Sequence, residues 1–242
     1  SGEGISSFNP EDIETVTALT GPSATALYGN QGANGVLLIT TKKGTAGKMS
    51  ISFSHSSDFF DPFVLPKFQN TYGQENSLEM ASWGPKLFSP STYQPRDFFQ
   101  TGRNIFNTVS ISGGTEKSQT LISAGTNNAE GIISNNTFNR YNFYLRHTAN
   151  LSDRLTMDFN AMYVRLDDKN MFAQGQYHNP LLPIYLFPPG DDIRKYQVYE
   201  RYDPDRQIPL QFWPYKSQGL GMENPYWTIN AQTNTNKTDR YM

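Results

Sequence analysis

The sequence predicts a mainly β protein that opens with a small α+β segment. Three observations carry this prediction. Hydrophobic residues make up 36% and charged residues 17% of the 242, with 14% aromatic, so uncharged polar side chains dominate. Thr, Asn and aromatic enrichment suits pleated, half-buried surfaces. Beyond Lys48 apolar residues recur at every second position, the period of a strand. The connections between these alternating segments swap between long and short.

Composition also excludes whole classes. A net charge of -2, with Lys and Arg scattered along the chain, provides no basic patch for nucleic acid. There are too few charges and too many aromatics for a disordered tail. The chain has no cysteine, which removes disulfides and thiolate metal sites. Its longest apolar run, Val36 to Ile39, falls far short of the ~20 residues of a membrane-spanning helix. That rules out a helical membrane protein and leaves a membrane β-barrel open, because barrel strands alternate and carry weak hydropathy. Ser1 stands in mid-pattern without a signal peptide, as expected of part of something longer.

In order, Glu11 to Val16 reads as an acidic lead into a short strand. Pro22 then suits the first turn of a helix over Ser23–Tyr28, Gly29 is a left-handed stop, and Gly35–Thr41 is a strand. Gly21 to Gly44 holds five glycines, a density that raises the question of a phosphate cradle. A phosphate loop runs strand, glycines, helix and ends in Lys-Ser/Thr; here the order is reversed and no such pair follows Gly35. The glycines read as architectural instead. Gly29, Gly32 and Gly35 let the chain leave the helix, turn, and start Val36–Ile39 as an interior strand.

About six strands follow, near 49–54, 107–112, 119–126, 141–151, 155–163 and 227–232. The connections between them run long, tight, medium, tight, long. A membrane barrel has this parity, with brief turns at one rim and extended loops at the other. The polar face bearing Asn142, Arg146, Asp158 and Asn160 then looks into a wet lumen, and Tyr141, Tyr163 and Trp227 fall in interfacial aromatic girdles. Alternation alone fits a soluble β-sandwich as well.

The residues also carry a family resemblance. Asp12-Ile13-Glu14-Thr15-Val16, Ser23-Ala24-Thr25-Ala26-Leu27-Tyr28-Gly29, Gly32-Ala33-Asn34-Gly35-Val36 and Ile39-Thr40-Thr41-Lys42-Lys43-Gly44 closely resemble the end of the plug domain of SusC/RagA-type TonB-dependent outer-membrane transporters of Bacteroidota. Tyr72-Gly73-Gln74, Ser82-Trp83-Gly84-Pro85-Lys86, Ser110-Ile111-Ser112-Gly113-Gly114 and Asn224-Pro225-Tyr226 resemble its barrel motifs. The resemblance implies a plugged transmembrane barrel of about 22 antiparallel strands. Residues 1–48 would be the C-terminal part of the plug. Residues 49–242 would be the first barrel strands, with extracellular loops near 57–105, 127–137 and 167–225.

It further implies TonB-dependent import of oligosaccharide or peptide across a Gram-negative outer membrane. The implied partners are outer-membrane lipid, a SusD-like surface lipoprotein as a lid, and TonB acting through a region outside this chain. Tyr28, Gly29, Gly32, Ala33, Asn34 and Gly35 become a structural and gating signature. Departures at Thr20-Gly21-Pro22, Asn30-Gln31 and Glu75 leave the substrate class open.

No catalytic motif is present, so no enzyme and no catalytic residue is expected. His55, His147 and His178 lie far apart, without metal-ligand spacing. Asp167-Asp168 and Asp191-Asp192 have the oxygen chemistry for a loop-bound calcium, although solvated loop charge is the simpler reading. The better functional candidates are loop aromatics: Trp83 in the first long connection, and Tyr177, Tyr185, Tyr199, Trp213 and Tyr215 in the last, with Phe172, Phe187, Tyr196 and Phe212 among them. Such rings serve as local cores, as partner contacts or as substrate contacts. A SusC-like barrel acting as a structural subunit of an assembly or secretion complex fits the same aromatics, and a soluble glycan-binding module is a third reading.

Overall fold

A computed structural model describes residues 8–62, 64–171, 175, 177–215 and 222–242. The Asn9 side chain caps a 3₁₀ turn, Pro10–Asp12, that leads into β1 (Ile13–Leu19). Pro22, whose missing N–H is no loss in a first turn, opens α1 (Pro22–Tyr28), and β2 (Val36–Thr41) returns antiparallel to β1, with Leu19 opposite Val36. Gly29 has φ 61° and ψ -147°, a region essentially reserved for glycine and further from the helix than a left-handed stop. Gly32 stays glycine for space, since a Cβ there would collide with the Ala24 carbonyl. A two-stranded sheet of this size is marginal alone. Its stability has to come from what it rests on.

It rests on a six-stranded antiparallel sheet. The strands β3 (Gly47–Phe60), β4 (Gly102–Thr115), β5 (Ser118–Glu130), β6 (Thr137–Ser152) and β7 (Leu155–Lys169) follow one another as a meander. Glu116-Lys117 and Asp153-Arg154 are the tight turns at one rim. The strands run past the alternating stretches at the opposite rim, and the connections there shorten to 61–101, 131–136 and 170–234. Apolar alternation reports burial, whereas the ladder needs only backbone. In the extra rungs polar pairs interrupt the apolar face: Arg103 pairs with Glu130 at 2.6 Å, and Asn128 donates to Asn139 at 2.8 Å.

The last connection holds α2 (Leu181–Leu186), a small hairpin of β8 (Glu200–Asp203) and β9 (Ile208–Gln211), and α3 (Pro225–Asn230). The strand expected at Trp227–Gln232 is therefore wrong. Asn224 accepts from Tyr226 N–H at 2.9 Å and Pro225 starts the turn, so Asn-Pro here is a helix start. The sixth strand is β10 (Thr235–Tyr241), whose polar sequence TNKTDRY conceals it, and it pairs with β7. Trp227 lies in the loop layer beside Tyr199, with ring centroids 6.2 Å apart, and not in an aromatic girdle.

Register divides the sheet into two unlike faces. Met49, Ile51 and Phe53 of β3 share one face with Val109, Ile111, Ile122, Phe143 and Phe159, and all are exposed, Phe53 at 71%. The opposite face carries Ser50, Ser52, Thr108, Ser110, Ser123, Asn142 and Arg146, and the first segment packs there. A small cluster of Leu121, Tyr144, Met162 and Val164, joined by Phe8 and Leu166, lies on that face. A larger core ties the loops together through Met80, Tyr93, Phe98, Ile184, Phe187, Ile193, Tyr196 and Tyr215. No helix of the described residues is long and apolar enough to cross a membrane, which says nothing of strands.

Candidate functional site: the first segment on the polar face of the sheet

The contact between the first segment and the sheet is built from side chains that elementary alternation points inward. Buried Ser123 donates its hydroxyl to Asp12 Oδ1 at 2.5 Å. Burial raises the Asp12 pKa, and the Ser123 hydrogen bond and nearby Lys42 offset this only in part. The Asp12 backbone carbonyl accepts from Lys42 N–H at 2.8 Å, so the carboxylate is fixed where β1 begins and β2 ends. Asn9 donates to Thr108 Oγ1 at 3.2 Å over Gly125, where a Cβ would lie 2.7 Å from the Asn9 amide.

The end of β2 is held most tightly. Tyr144 donates to Thr41 Oγ1 at 2.8 Å, and one Arg146 nitrogen donates to the Thr41 carbonyl at 2.8 Å and to its Oγ1 at 3.0 Å. Asp158 accepts from the other Arg146 nitrogens at 3.0 and 2.7 Å and aims the guanidinium. Thr45 N–H donates to Ser112 Oγ at 2.9 Å, and Gly44 lies against the Thr120 backbone too closely for any Cβ. A cavity of about 230 Å³, lined by Asn9, Glu11, Phe106, Arg140 and Asn142, lies beside this contact.

This is a seat and not a core. Each hydrogen bond is worth about 0.5–1.5 kcal/mol net, because folding exchanges bonds to water for bonds within the protein. Such a strip holds the segment in register.

Of the plug signature, Gly29, Gly32 and Gly35 shape the turn between α1 and β2, with Gly35 at φ 94°. Tyr28, Ala33 and Asn34 are exposed. Sequence reasoning missed Asn9, Thr41 and Ser123 as contacts. Only Arg146 and Asp158 carried a signal, as charges on a face expected to be wet.

Among the loop aromatics, Trp213 and Tyr215 join the buried core, and Tyr185 stacks on Phe68 at 5.7 Å. Tyr199 packs on Trp227, whereas Trp83 and Tyr177 are exposed at 77% and 60%. Phe172 lies outside the described residues. The hub of this layer is Asp191, which accepts from Lys195 Nζ at 2.6 Å, Tyr196 OH at 2.7 Å and Tyr215 OH at 2.8 Å. Burial pushes its pKa up, but these donors and the Asp192 N–H outweigh burial and hold it below the usual carboxylate range. Burial and the same carboxylate push the Tyr196 phenol up to about 12. Asp192 is occupied by Arg194, and Asp167 by Arg165. Among the described residues no three His, Cys, Asp or Glu gather as a metal site.

No protein-family model matches the chain. Over 245 residues it is 31% identical to the TonB-dependent receptor SusC of Bacteroides thetaiotaomicron, covering 96% of this chain. The chain belongs to the SusC/RagA-type TonB-dependent receptors. TonB-dependent receptors P3 and P26 of Formosa agariphila are 28% and 32% identical over 98% and 75% of the chain. The chain spans 23% of the length of SusC and of P3. In fold it matches the RagAB peptide importer in its closed-closed state, with a TM-score of 0.63, 19% identity, and coverage of 89% of this chain and 29% of that one. The open-open state gives a TM-score of 0.55. These relatives are receptors and transporters, not enzymes, and the mainly β fold of this chain matches part of theirs without closing a barrel.

Proposed function

We propose that this SusC/RagA-type chain serves TonB-dependent import of oligomeric nutrients, glycan or peptide, across an outer membrane. The observation that carries the reading is the division of the sheet. One face presents an apolar band suited to lipid, and the other seats a polar-bonded segment as a plug seats in a lumen. In this mechanism residues 1–48 close the channel and residues 49–242 form wall and extracellular loops. A SusD-like lipoprotein captures substrate over the loop layer. Energy delivered through TonB loosens the strip around Asp12, Thr41 and Arg146, and the same hydrogen bonds reseat the plug afterwards. Loop-bound calcium plays no part in it.

The test is made on cells carrying the whole receptor. Growth on, or uptake of, the cognate oligomer disappears when TonB is deleted, and pull-down from native membranes returns a SusD-like lipoprotein. Uptake that persists without TonB overturns the reading, and stoichiometric recovery of assembly or secretion factors replaces it with a scaffold.

A further inference from the structure

Among the described residues Asp12 is the one carboxylate that is buried, at 5% exposure, and its partner Ser123 is 2% exposed. The two lie 111 positions apart, so their 2.5 Å hydrogen bond joins the first segment directly to β5. Further chain packed beside them can only reduce that exposure.

Elsewhere in the strip charge is matched, for Arg146 meets Asp158 through two bonds at 3.0 and 2.7 Å. Asp12 has no cation in contact with it among the described residues. Lys42, just past β2, acts on it from a distance, and Glu11 beside it opposes Lys42. The other titratable groups around the strip are Lys43, which lines one cavity with Asp12 and Lys42, Tyr144 on β6, which bonds Thr41, and the Arg146–Asp158 pair.

A carboxylate removed from water without a counter-ion favours its neutral form. Burial accordingly raises the Asp12 pKa by more than the Ser123 bond and Lys42 lower it. Once the segment lifts away, water restores the ordinary value of about 3.9.

We propose that Asp12 is a proton-operated latch, whose neutral acid holds the first segment on the sheet more firmly than its carboxylate does. Linkage sets the sign. The seated form binds the proton more tightly than the lifted form, so seating gains as pH falls toward the ordinary carboxylate value, and that gain is lost as pH rises through the seated value. The neutral acid keeps its bond to Ser123, because Oδ1 still accepts while Oδ2 carries the proton. The proposal rests on the import reading, in which the segment closes a channel, and adds a condition under which it closes more tightly.

The whole receptor in detergent, without TonB or substrate, is followed by amide hydrogen exchange from about pH 8 to about pH 4, and protection factors over residues 12–19 and 36–42 are referred to those of β5 and β6. Wild-type protection rises by about threefold or more on acidification. Asp12→Asn, which keeps the Oδ1 acceptor without the charge, is protected throughout and shows no rise. Ser123→Ala removes the group that favours the carboxylate, so its rise is steeper than in wild type. A flat wild-type profile, the same rise in Asp12→Asn, or a shallower rise in Ser123→Ala overturns the latch. Each of these leaves import itself standing, because import is judged by TonB-dependent uptake.

Discussion

Gly32 and Gly35 show how single positions fix the shape of the first segment. Gly32 is buried with the Ala24 carbonyl where a Cβ would be, and Gly35 combines φ 94° with the Leu19 carbonyl 3.2 Å from a Cβ. Gly32→Ala and Gly35→Val are each expected to destabilise the segment by about 1–3 kcal/mol through strain and displaced backbone. Limited proteolysis of the folded receptor then cuts within residues 21–44 in both variants, and wild-type resistance would contradict the assignment. Gly29 and Gly35 were legible as turn glycines because φ preference is local. Asn9–Thr108 and Asp12–Ser123 were not, because their partners lie 99 and 111 positions apart and no local pattern reports a pairing at that distance.

At the scale of elements, the loop layer is organised by one carboxylate. Replacing Asp191 by Asn keeps shape but removes the charge on which Lys195, Tyr196 and Tyr215 converge, and should cost the layer about 2–3 kcal/mol of local stability. Faster amide exchange over 187–215 is the readout. The same hub sets a pH response. Because the folded Asp191 pKa is depressed, its contribution is complete above the ordinary carboxylate value of about 3.9 and is lost as pH falls through the folded value. Exchange protection should hold from neutral pH to about 5, then decline in wild type below about 4, with a smaller acid step in Asp191→Asn.

Element boundaries teach the same lesson from two sides. β6 and β7 were visible because one apolar face alternates with a polar one. β10 was hidden because nothing in TNKTDRY alternates, although its backbone pairs fully with β7. Trp227–Gln232 alternates yet is helical as far as Asn230, because the Asn224 cap and Pro225 decide the backbone before hydropathy does.

For the molecule as a whole, the apolar face of the sheet is an exposed band, and in the proposed outer-membrane setting lipid removes its cost in water. Ile51→Arg on that face should destabilise the receptor by about 2–4 kcal/mol, whereas Ser52→Arg on the inner face should do far less. Thermal unfolding in detergent distinguishes them, and equal effects would contradict the assignment of faces. The whole-molecule plan was legible from strand-connection parity and family motifs. The way the first segment and the sheet grip each other was not, since it depends on polar pairs that the alternating pattern records only as polar.

The central claim is that a strip of hydrogen bonds from Asp12, Thr41 and Arg146 holds the plug closed against this wall. Passive permeability through the whole receptor, with TonB deleted, tests it most directly. Loss of about 3 kcal/mol of seating in an Asp12→Ala, Arg146→Ala double variant would raise the unseated fraction about 100-fold. Cells carrying it should become sensitive to a large antibiotic that wild-type cells exclude. A correctly inserted double variant as impermeable as wild type would contradict the claim.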